Sequence, residues 1–141
     1  MGLRALWRGL AARTAGAPRT VKSFDRAVEA AGGVRGRVDA GLRVVPVAEV
    51  VGSVDRWRTL RPDFLPVDGG GLTARHRRVA EAMRDGRALP PVELYRLAPA
   101  PPGGRGEYYV VDGHHRVAVA RRLGQDFLDA HVVEYRVAGR G

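Results

Sequence analysis

The sequence has no cysteine among its 141 residues, and its only lysine is Lys22. The missing thiol excludes disulfides, thiolate-bound metal and cysteine-based catalysis. All the other basic residues are arginines, and the formal net charge is +9. Because abundant arginine, alanine, glycine and valine can reflect coding bias, we discount the charge in part as a sign of nucleic-acid binding. It still favours an anionic partner over a cationic one.

Long apolar runs are also absent. Arginine interrupts the apolar residues of the first 22 positions too often for the core of a signal peptide. Nothing approaches the roughly 20 apolar residues that a membrane-spanning helix needs. We therefore expect a cytoplasmic protein. The chain length, with 45% hydrophobic residues, is enough for one globular domain with a real core.

Residues 1–41 are predicted to form a basic, partly helical N-terminal extension. Residues 1–22 carry five basic side chains and no acidic one. Apolar residues at helical spacing predict a short amphipathic helix there: Leu3, Leu6, Trp7 and Leu10. This tail is either poorly ordered or a contact for nucleic acid or a membrane surface. Ser23 is a good N-cap for a helix from Phe24 to Ala31, and Arg35 to Gly41 would follow as a connector.

A compact α+β domain is predicted for residues 42–137, followed by a frayed tail at residues 138–141. Periodicity and β-propensity predict four strands, at Leu42–Val47, Val92–Leu97, Tyr108–Val111 and Phe127–Val137. Because a Pro/Gly-rich loop joins the second strand to the third, we expect these two to pair antiparallel. The domain would therefore contain a small mixed sheet with packed helices.

Two helices are expected in this domain. Thr73 caps the first, which runs to Met83, and the second begins at His115 and ends before Gly124. Between the first strand and these helices we expect a helical turn near Glu49, a break at Gly52-Ser53 and an irregular segment. That segment either lines a ligand cleft or is a surface loop pinned by aromatics; its notable residues are Asp55, Arg56, Trp57, Arg58, Arg61 and Phe64.

The stretch from Tyr108 to Gly124 changes from strand to helix at Asp112-Gly113-His114-His115-Arg116. A strand that enters a helix through a glycine turn leaves free backbone N–H groups at the helix N-terminus. Such an end attracts anions, and phosphate above all. Arg116 can add a planar, permanently charged fork. The turn is therefore a candidate phosphate-binding site.

Three interpretations of this turn are open from its residues. The first is phosphate binding by the glycine, the arginine and a histidine donor. The second is metal binding by Asp112 with His114 or His115, but adjacent histidines project in different directions, so distant His131 would have to complete the site. In the third, Asp112 caps the helix while the histidines fill space and bond to backbone carbonyls.

The order LPPVELYRL, loop, YYVVDGHHRVAVARRLG and a final strand resembles the ParB/sulfiredoxin superfamily. The resemblance is to its stand-alone ParB N-terminal-like branch, which includes proteins labelled ParB-like nuclease. ParB-like members carry a G-x-x-R-x-x-A helix start that holds nucleotide phosphates, and it is matched by Gly113, Arg116 and Ala118 or Val119. The resemblance covers about Leu42 to Tyr135 and implies a ParB/sulfiredoxin-like fold.

The resemblance implies a nucleotide such as CTP, ATP or ADP as the ligand, with or without Mg²⁺. Four residues of the turn and one arginine upstream would contact its phosphates: Gly113, His114, His115, Arg116 and Arg61. Asp112 would fix the turn or hold Mg²⁺. His114 occupies the cysteine position of the sulfiredoxin G-C-H-R motif, so sulfinic-acid reduction is excluded. We also expect no self-contained centromere-binding clamp, because no helix-turn-helix follows the motif.

Two classes of function are then expected. The first is a nucleotide- or phosphate-binding protein, extending to a small kinase or a phosphohydrolase. Candidate acid–base residues for such catalysis are Glu49, Asp55, Asp63, Asp112, His114 and His115. The second class is a nucleic-acid-binding accessory protein without catalysis. It would use the N-terminal arginines and Arg75, Arg77 and Arg78, although such a cluster is also typical of a solvated helix face.

Overall fold

The computed structural model describes residues 19–69, 72–99 and 106–138. The predicted amphipathic helix and most of the basic tail lie outside the described residues. So do the glycines at positions 70 and 71, most of the Pro/Gly-rich loop, and residues 139–141. No helix in the described ranges is long and apolar enough to cross a membrane.

The described residues contain six strands, which form one mixed sheet. The strands are β1 (Lys22–Ser23), β2 (Val34–Pro46), β3 (Val50–Ser53), β4 (Val92–Ala98), β5 (Tyr108–Asp112) and β6 (Phe127–Val137). Their order across the sheet is β1-β3-β5-β4-β6-β2. The pairs β1–β3, β3–β5 and β4–β6 are parallel, while β4–β5 and β2–β6 are antiparallel. The predicted antiparallel pairing of Val92–Leu97 with Tyr108–Val111, which are β4 and β5 here, is confirmed.

Three α-helices flank the sheet: α1 (Phe24–Ala30), α2 (Ala74–Arg84) and α3 (His114–Arg122). The Ser23 hydroxyl caps α1 by accepting from the Arg26 backbone N–H at 3.3 Å, and Thr73 caps α2. Single 3₁₀ turns cover Val47–Glu49 and Trp57–Thr59. Six strands with three helices make an α+β fold, as the sequence predicted.

Two local predictions are wrong. Arg35 to Gly41 do not form a connector: they belong to β2, which pairs with β6 and continues past residue 42, where the prediction began the domain. Arginine and glycine are tolerated here because β2 is an edge strand, with only one neighbour to pack against. The predicted break at Gly52-Ser53 is also absent, because these are the last two residues of β3. A central strand can carry such small residues where other groups approach it closely.

Both faces of the sheet are covered. One face packs against α2 and α3 through buried aliphatic residues that include Val45, Val50, Leu94, Val110, Val117 and Leu128. The other receives α1, whose Phe24 ring lies 5.2–5.4 Å from three tyrosine rings, those of Tyr95, Tyr109 and Tyr135. Such aromatic pairs contribute about 0.5–1.5 kcal/mol each beyond their buried area. The α1 helix, which the prediction placed in an extension, thus packs on the same sheet as the rest of the fold.

Candidate functional site

The candidate site lies where the parallel strands β3 and β5 end side by side. Ser53, the last residue of β3, is in register with Val110 of β5. A loop that carries Arg56 leaves β3 at this edge, and α3 leaves β5 there after Gly113. Crevices at the carboxyl ends of parallel strands are where open α/β sheets usually bind ligands. The topology therefore places the predicted turn at a position suited to a ligand.

Gly113 makes the turn possible. Its backbone is left-handed, with φ 109° and ψ 25°, and a Cβ there would lie 2.6 Å from Val92 Cγ1. No described side chain caps the helix that follows. The first-turn N–H groups of α3 and the positive end of its dipole are therefore available to an anion. The interpretation in which Asp112 caps the helix is wrong, because Asp112 ends β5 and the N-cap is Gly113.

Two adjoining hollows meet at this edge, and they share Arg56, His114 and His115. The polar hollow, of about 250 Å³, is lined in addition by Arg75, Asp112, Gly113 and Arg116, with Val79, Leu89, Pro90, Pro91 and Val92 around them. The apolar hollow, of about 300 Å³, is lined in addition by Leu60, Phe64, Pro66 and Val67, together with Thr59, Asp68 and His76. A ligand with one anionic end and one apolar end matches this division.

Cationic side chains dominate the polar hollow, which has three arginines and, among the described residues, one carboxylate. Arg116 donates from Nη1 to the carbonyl oxygen of Pro90. Its Nε is buried and has no hydrogen-bond partner in the described structure. A buried donor without an acceptor costs about 1–3 kcal/mol. Burial also lowers the pKa of this guanidinium, which the charge of Asp129 partly offsets. An anion in the hollow would offset the cost of burying this charge.

His114 is buried at the base of the site and is held by Ser53. The two side chains meet at 2.8 Å, between Ser53 Oγ and His114 Nε2. Oγ also accepts from the Arg56 backbone N–H at 2.9 Å, and it keeps both a second lone pair and its own hydrogen for the bond with Nε2. Burial, and then the charge of Arg56, lower the pKa of His114 to about 4, so this ring is neutral at neutral pH.

His76 is a site residue to which the sequence interpretation gave no weight. It is 3% exposed, and its ring centroid lies 4.5 Å from that of His115. Its Nδ1 accepts from the Thr73 backbone N–H at 3.1 Å, in a reciprocal capping box at the start of α2. The ring must then carry its hydrogen on Nε2, where it can donate but cannot bind a metal. A Thr-x-x-His start to a helix, analogous to the usual capping box, was the signal that could have found it.

Phe64 forms part of the wall of the apolar hollow in a strained conformation. Its φ of 67° makes it the only residue other than glycine in the described ranges with a left-handed backbone. Such a conformation costs roughly 1–2 kcal/mol for an L-residue, and strain of this kind collects at functional sites. The ring is 1% exposed and lies below the Arg121 guanidinium, 5.5 Å from its centroid. The irregular segment therefore combines both predicted features, because it lines a hollow and a buried aromatic pins it to the core.

The arginine from this segment that reaches the turn is Arg56, not Arg61. Arg56 lines both hollows, and its charge lowers the pKa of His114 and of His115. Arg61 instead pairs with Asp63, two residues away, on the exposed surface and lines neither hollow. Sequence position alone could not distinguish the two, because only the course of the loop after β3 decides which side chain faces α3.

Other predicted candidates lie apart from the turn. Glu49 precedes β3, at the end of the sheet opposite to the turn, and accepts from the Gly106 backbone N–H at 2.6 Å. His131 pairs with Asp39 at 2.9 Å between β6 and β2. No group of three histidine or carboxylate side chains in the described ranges converges as metal ligands do. The described side chains therefore do not build a metal site by themselves, and of those that line the polar hollow Asp112 could reach a Mg²⁺ that arrives with a ligand's phosphates.

A scan of protein-family models finds no match for the chain, and a search of curated proteins finds none either. Among solved structures, sulfiredoxin from Arabidopsis thaliana is similar with a TM-score of 0.47 and 13% identity, over 67% of this chain and 86% of that one. The ParB-N domain of a Pnob8-like protein has a TM-score of 0.43 and 14% identity. That match covers 72% of this chain and 32% of the other.

A third similar structure is the C-terminally truncated chromosome-partitioning protein ParB from Caulobacter crescentus, complexed with CTP-gamma-S. Its TM-score is 0.43 and its identity 23%, over 66% of this chain and 44% of that one. At these scores and identities, the chemistry of the turn rests on this chain's own residues.

Proposed function

We propose that the protein binds a nucleotide or another phosphorylated small molecule, with its phosphate in the polar hollow at the Gly113 turn. The observation that carries this proposal is the uncapped start of α3, which faces Arg56, Arg75 and Arg116 across one hollow. Backbone N–H groups at a helix N-terminus bind phosphate well, and arginine adds strong charge-assisted hydrogen bonds. His114 adds a neutral imidazole to the lining of this hollow.

The apolar hollow accounts for the rest of the ligand. Its aliphatic and aromatic wall adjoins the phosphate position. Small-molecule sites typically combine such an apolar surface with a few convergent polar groups. A nucleoside phosphate such as CTP, ATP or ADP meets both requirements, whereas inorganic phosphate would leave the apolar hollow unused. A kinase or phosphohydrolase would further need a carboxylate base, for which Asp112 is the lining candidate.

Thermal-shift screening with CTP, ATP, ADP and GTP, each with and without Mg²⁺, tests the proposal. A ligand at a hundred times its Kd should stabilise the native protein by about 2.7 kcal/mol. Arg116→Ala should weaken binding by roughly tenfold to a hundredfold, because a charged hydrogen bond is worth about 1.5–3 kcal/mol. Titration of both proteins by the same method measures the difference.

Arg61→Ala is the matched control, since Arg61 is exposed, is paired with Asp63 and lines neither hollow. It should leave the ligand-induced shift unchanged. The proposal is overturned if no nucleotide raises the melting temperature of the wild type. If Arg116→Ala and Arg61→Ala reduce the ligand-induced shift equally, the sequence-based assignment of Arg61 to the phosphate site is supported. The conclusion that Arg116, and not Arg61, contacts the phosphate is then wrong.

A nucleic-acid contact is the second candidate, favoured by the arginines of α2. Arg75, Arg77 and Arg78 are exposed, although Arg75 also lines the polar hollow, and no described carboxylate forms an ion pair with them. Unpaired arginines on one helix can track a phosphate backbone. Replacing all three by glutamine should weaken binding to a DNA duplex and flatten its salt dependence, by about 0.9 in log–log slope for each phosphate that is no longer neutralised.

Fluorescence anisotropy over a series of salt concentrations measures that slope. Arg87 and Arg136, which are exposed but paired with Asp85 and Glu134, provide a control pair for substitution. A truncated variant that tests the basic tail should lack residues 1–18 and no more, because Val21 and Ser23 are buried. Binding that does not depend on salt would exclude the backbone-contact mode.

A further inference from the structure

Two adjacent imidazoles, those of His76 on α2 and His115 on α3, lie beside the phosphate position. Their centroids are 4.5 Å apart, and the rings are tilted by 50°. Both rings line the apolar hollow, and His115 also lines the polar hollow. The pair therefore forms part of the boundary between the two hollows, within reach of a phosphate bound at either.

The two rings differ in their freedom to accept a proton. His76 Nδ1 already accepts from the Thr73 N–H, so protonating it would break the cap of α2. His115 is only partly buried, and its ring has no hydrogen-bond partner among the described residues. A proton added to the pair would consequently reside on His115, with His76 remaining a neutral neighbour.

The surrounding charges keep His115 neutral while the site is free of ligand. Arg75 and His76 face it from α2, Arg56 from the loop after β3, and His114 and Arg116 from its own helix. The carboxylates on this side are Asp55, Asp68 and Asp112. Burial, and then His76, Arg75 and Arg56, lower the pKa of His115. A phosphate would introduce the opposite charge at the point where these cations converge.

We propose that His115 takes up a proton from solvent when a phosphate group binds at the turn, so that binding and protonation are coupled at this ring. This inference rests on the proposed function. A dianionic terminal phosphate gains most from the new imidazolium, so the coupling selects such a group over a phosphodiester, which carries one charge. His76 is a positioning residue, because it holds the His115 ring without itself titrating.

The expected effect is a pH-dependent affinity. His115 is neutral in the free protein near neutral pH and charged in the complex, so binding takes up as much as one proton. Affinity then falls as pH rises, by at most tenfold for each pH unit in the window between the free and bound pKa values of this ring. Tripolyphosphate is a suitable probe, because it presents a terminal phosphate without a base.

Isothermal titration calorimetry of the whole protein with tripolyphosphate at pH 7, in buffers of different ionisation enthalpy, counts the protons taken up. The wild type should take up more protons than His115→Gln by a fraction approaching one. His76→Asn keeps an acceptor for the Thr73 N–H and should reduce the uptake only in part. The control, His131→Gln, alters an exposed ring that is paired with Asp39 and should match the wild type. A histidine NMR spectrum should show the imidazolium of His115 in the complex alone.

The outcomes separate this inference from the function on which it rests. Binding with the same proton uptake in wild type and in His115→Gln overturns the coupling but leaves phosphate binding intact. The same conclusion follows if His115 stays neutral by NMR in the complex. Absence of binding by tripolyphosphate and by every nucleotide of the screen overturns the proposed function, and the coupling with it.

Discussion

Replacing Gly113 by alanine should destabilise the fold by about 2–5 kcal/mol and abolish ligand binding. The left-handed backbone at φ 109° costs an L-residue roughly 1–2 kcal/mol. The new Cβ would also lie 2.6 Å from Val92 Cγ1 and 2.9 Å from Val92 Cβ, and overpacking of this kind costs typically 1–3 kcal/mol. A backbone shift that relieves the strain at φ or the clash with Val92 would move the start of α3. The N–H groups that face the polar hollow would move with it.

Gly124→Ala provides the matched control for this prediction. Gly124 is also left-handed, with φ 69°, but a Cβ there would meet no atom within 4 Å. The Gly124→Ala variant should lose only about 1 kcal/mol of unfolding free energy, from the left-handed backbone, and it should keep ligand binding. Val92→Ala removes the nearer clashing atom but also the buried packing of Val92, so it should cost less stability in the Gly113→Ala background than in the wild type. Chemical denaturation of the wild type, the three single variants and the double variant measures these differences, and equal losses at the two glycines would contradict the steric argument.

The features that local sequence could predict are those whose causes are local. Ser23 and Thr73 cap helices because a side-chain oxygen can reach an N–H three residues on, and both caps are confirmed. The change from strand to helix at Gly113 follows from a β-branched run, a glycine and helical spacing in direct succession. The Arg35–Gly41 segment of β2 lacks any such local signal, because pairing with β6 and not β-propensity makes it a strand.

The composition of the site depended on contacts between distant segments. Arg56 and His76 reach the turn from a loop and a helix that are respectively 57 and 37 residues before Gly113 in the sequence, and nothing in either segment indicates where it packs. The same holds for Ser53, which bonds to His114 Nε2 from the neighbouring parallel strand. The turn could be predicted, but the side chains that surround it could not.

His114 should make the protein sensitive to acid well above the range in which carboxylates titrate. Burial holds the pKa of His114 at about 4 in the folded state, against an ordinary value of 6.5. The unfolded chain therefore binds this proton first as pH falls, so the stability is fully present above pH 6.5 and is lost progressively toward pH 4. The loss should reach about 2.5 kcal/mol by pH 4.5. Burial lowers the pKa of His76 and of His115 as well, which acts in the same direction.

Urea denaturation at pH 7.5, 6.5, 5.5 and 4.5 tests this expectation, with His114→Gln as the variant. Gln places an amide near the Nε2 position, where Ser53 can still bond, but it cannot titrate. Between pH 7.5 and pH 4.5, this variant should lose about 2.5 kcal/mol less stability than the wild type. Ser53→Ala, which leaves the ring buried, should lower stability at every pH and keep most of the slope, because burial is the largest cause of the pKa shift. Parallel curves for the wild type and His114→Gln would show that this imidazole is not held neutral by the fold.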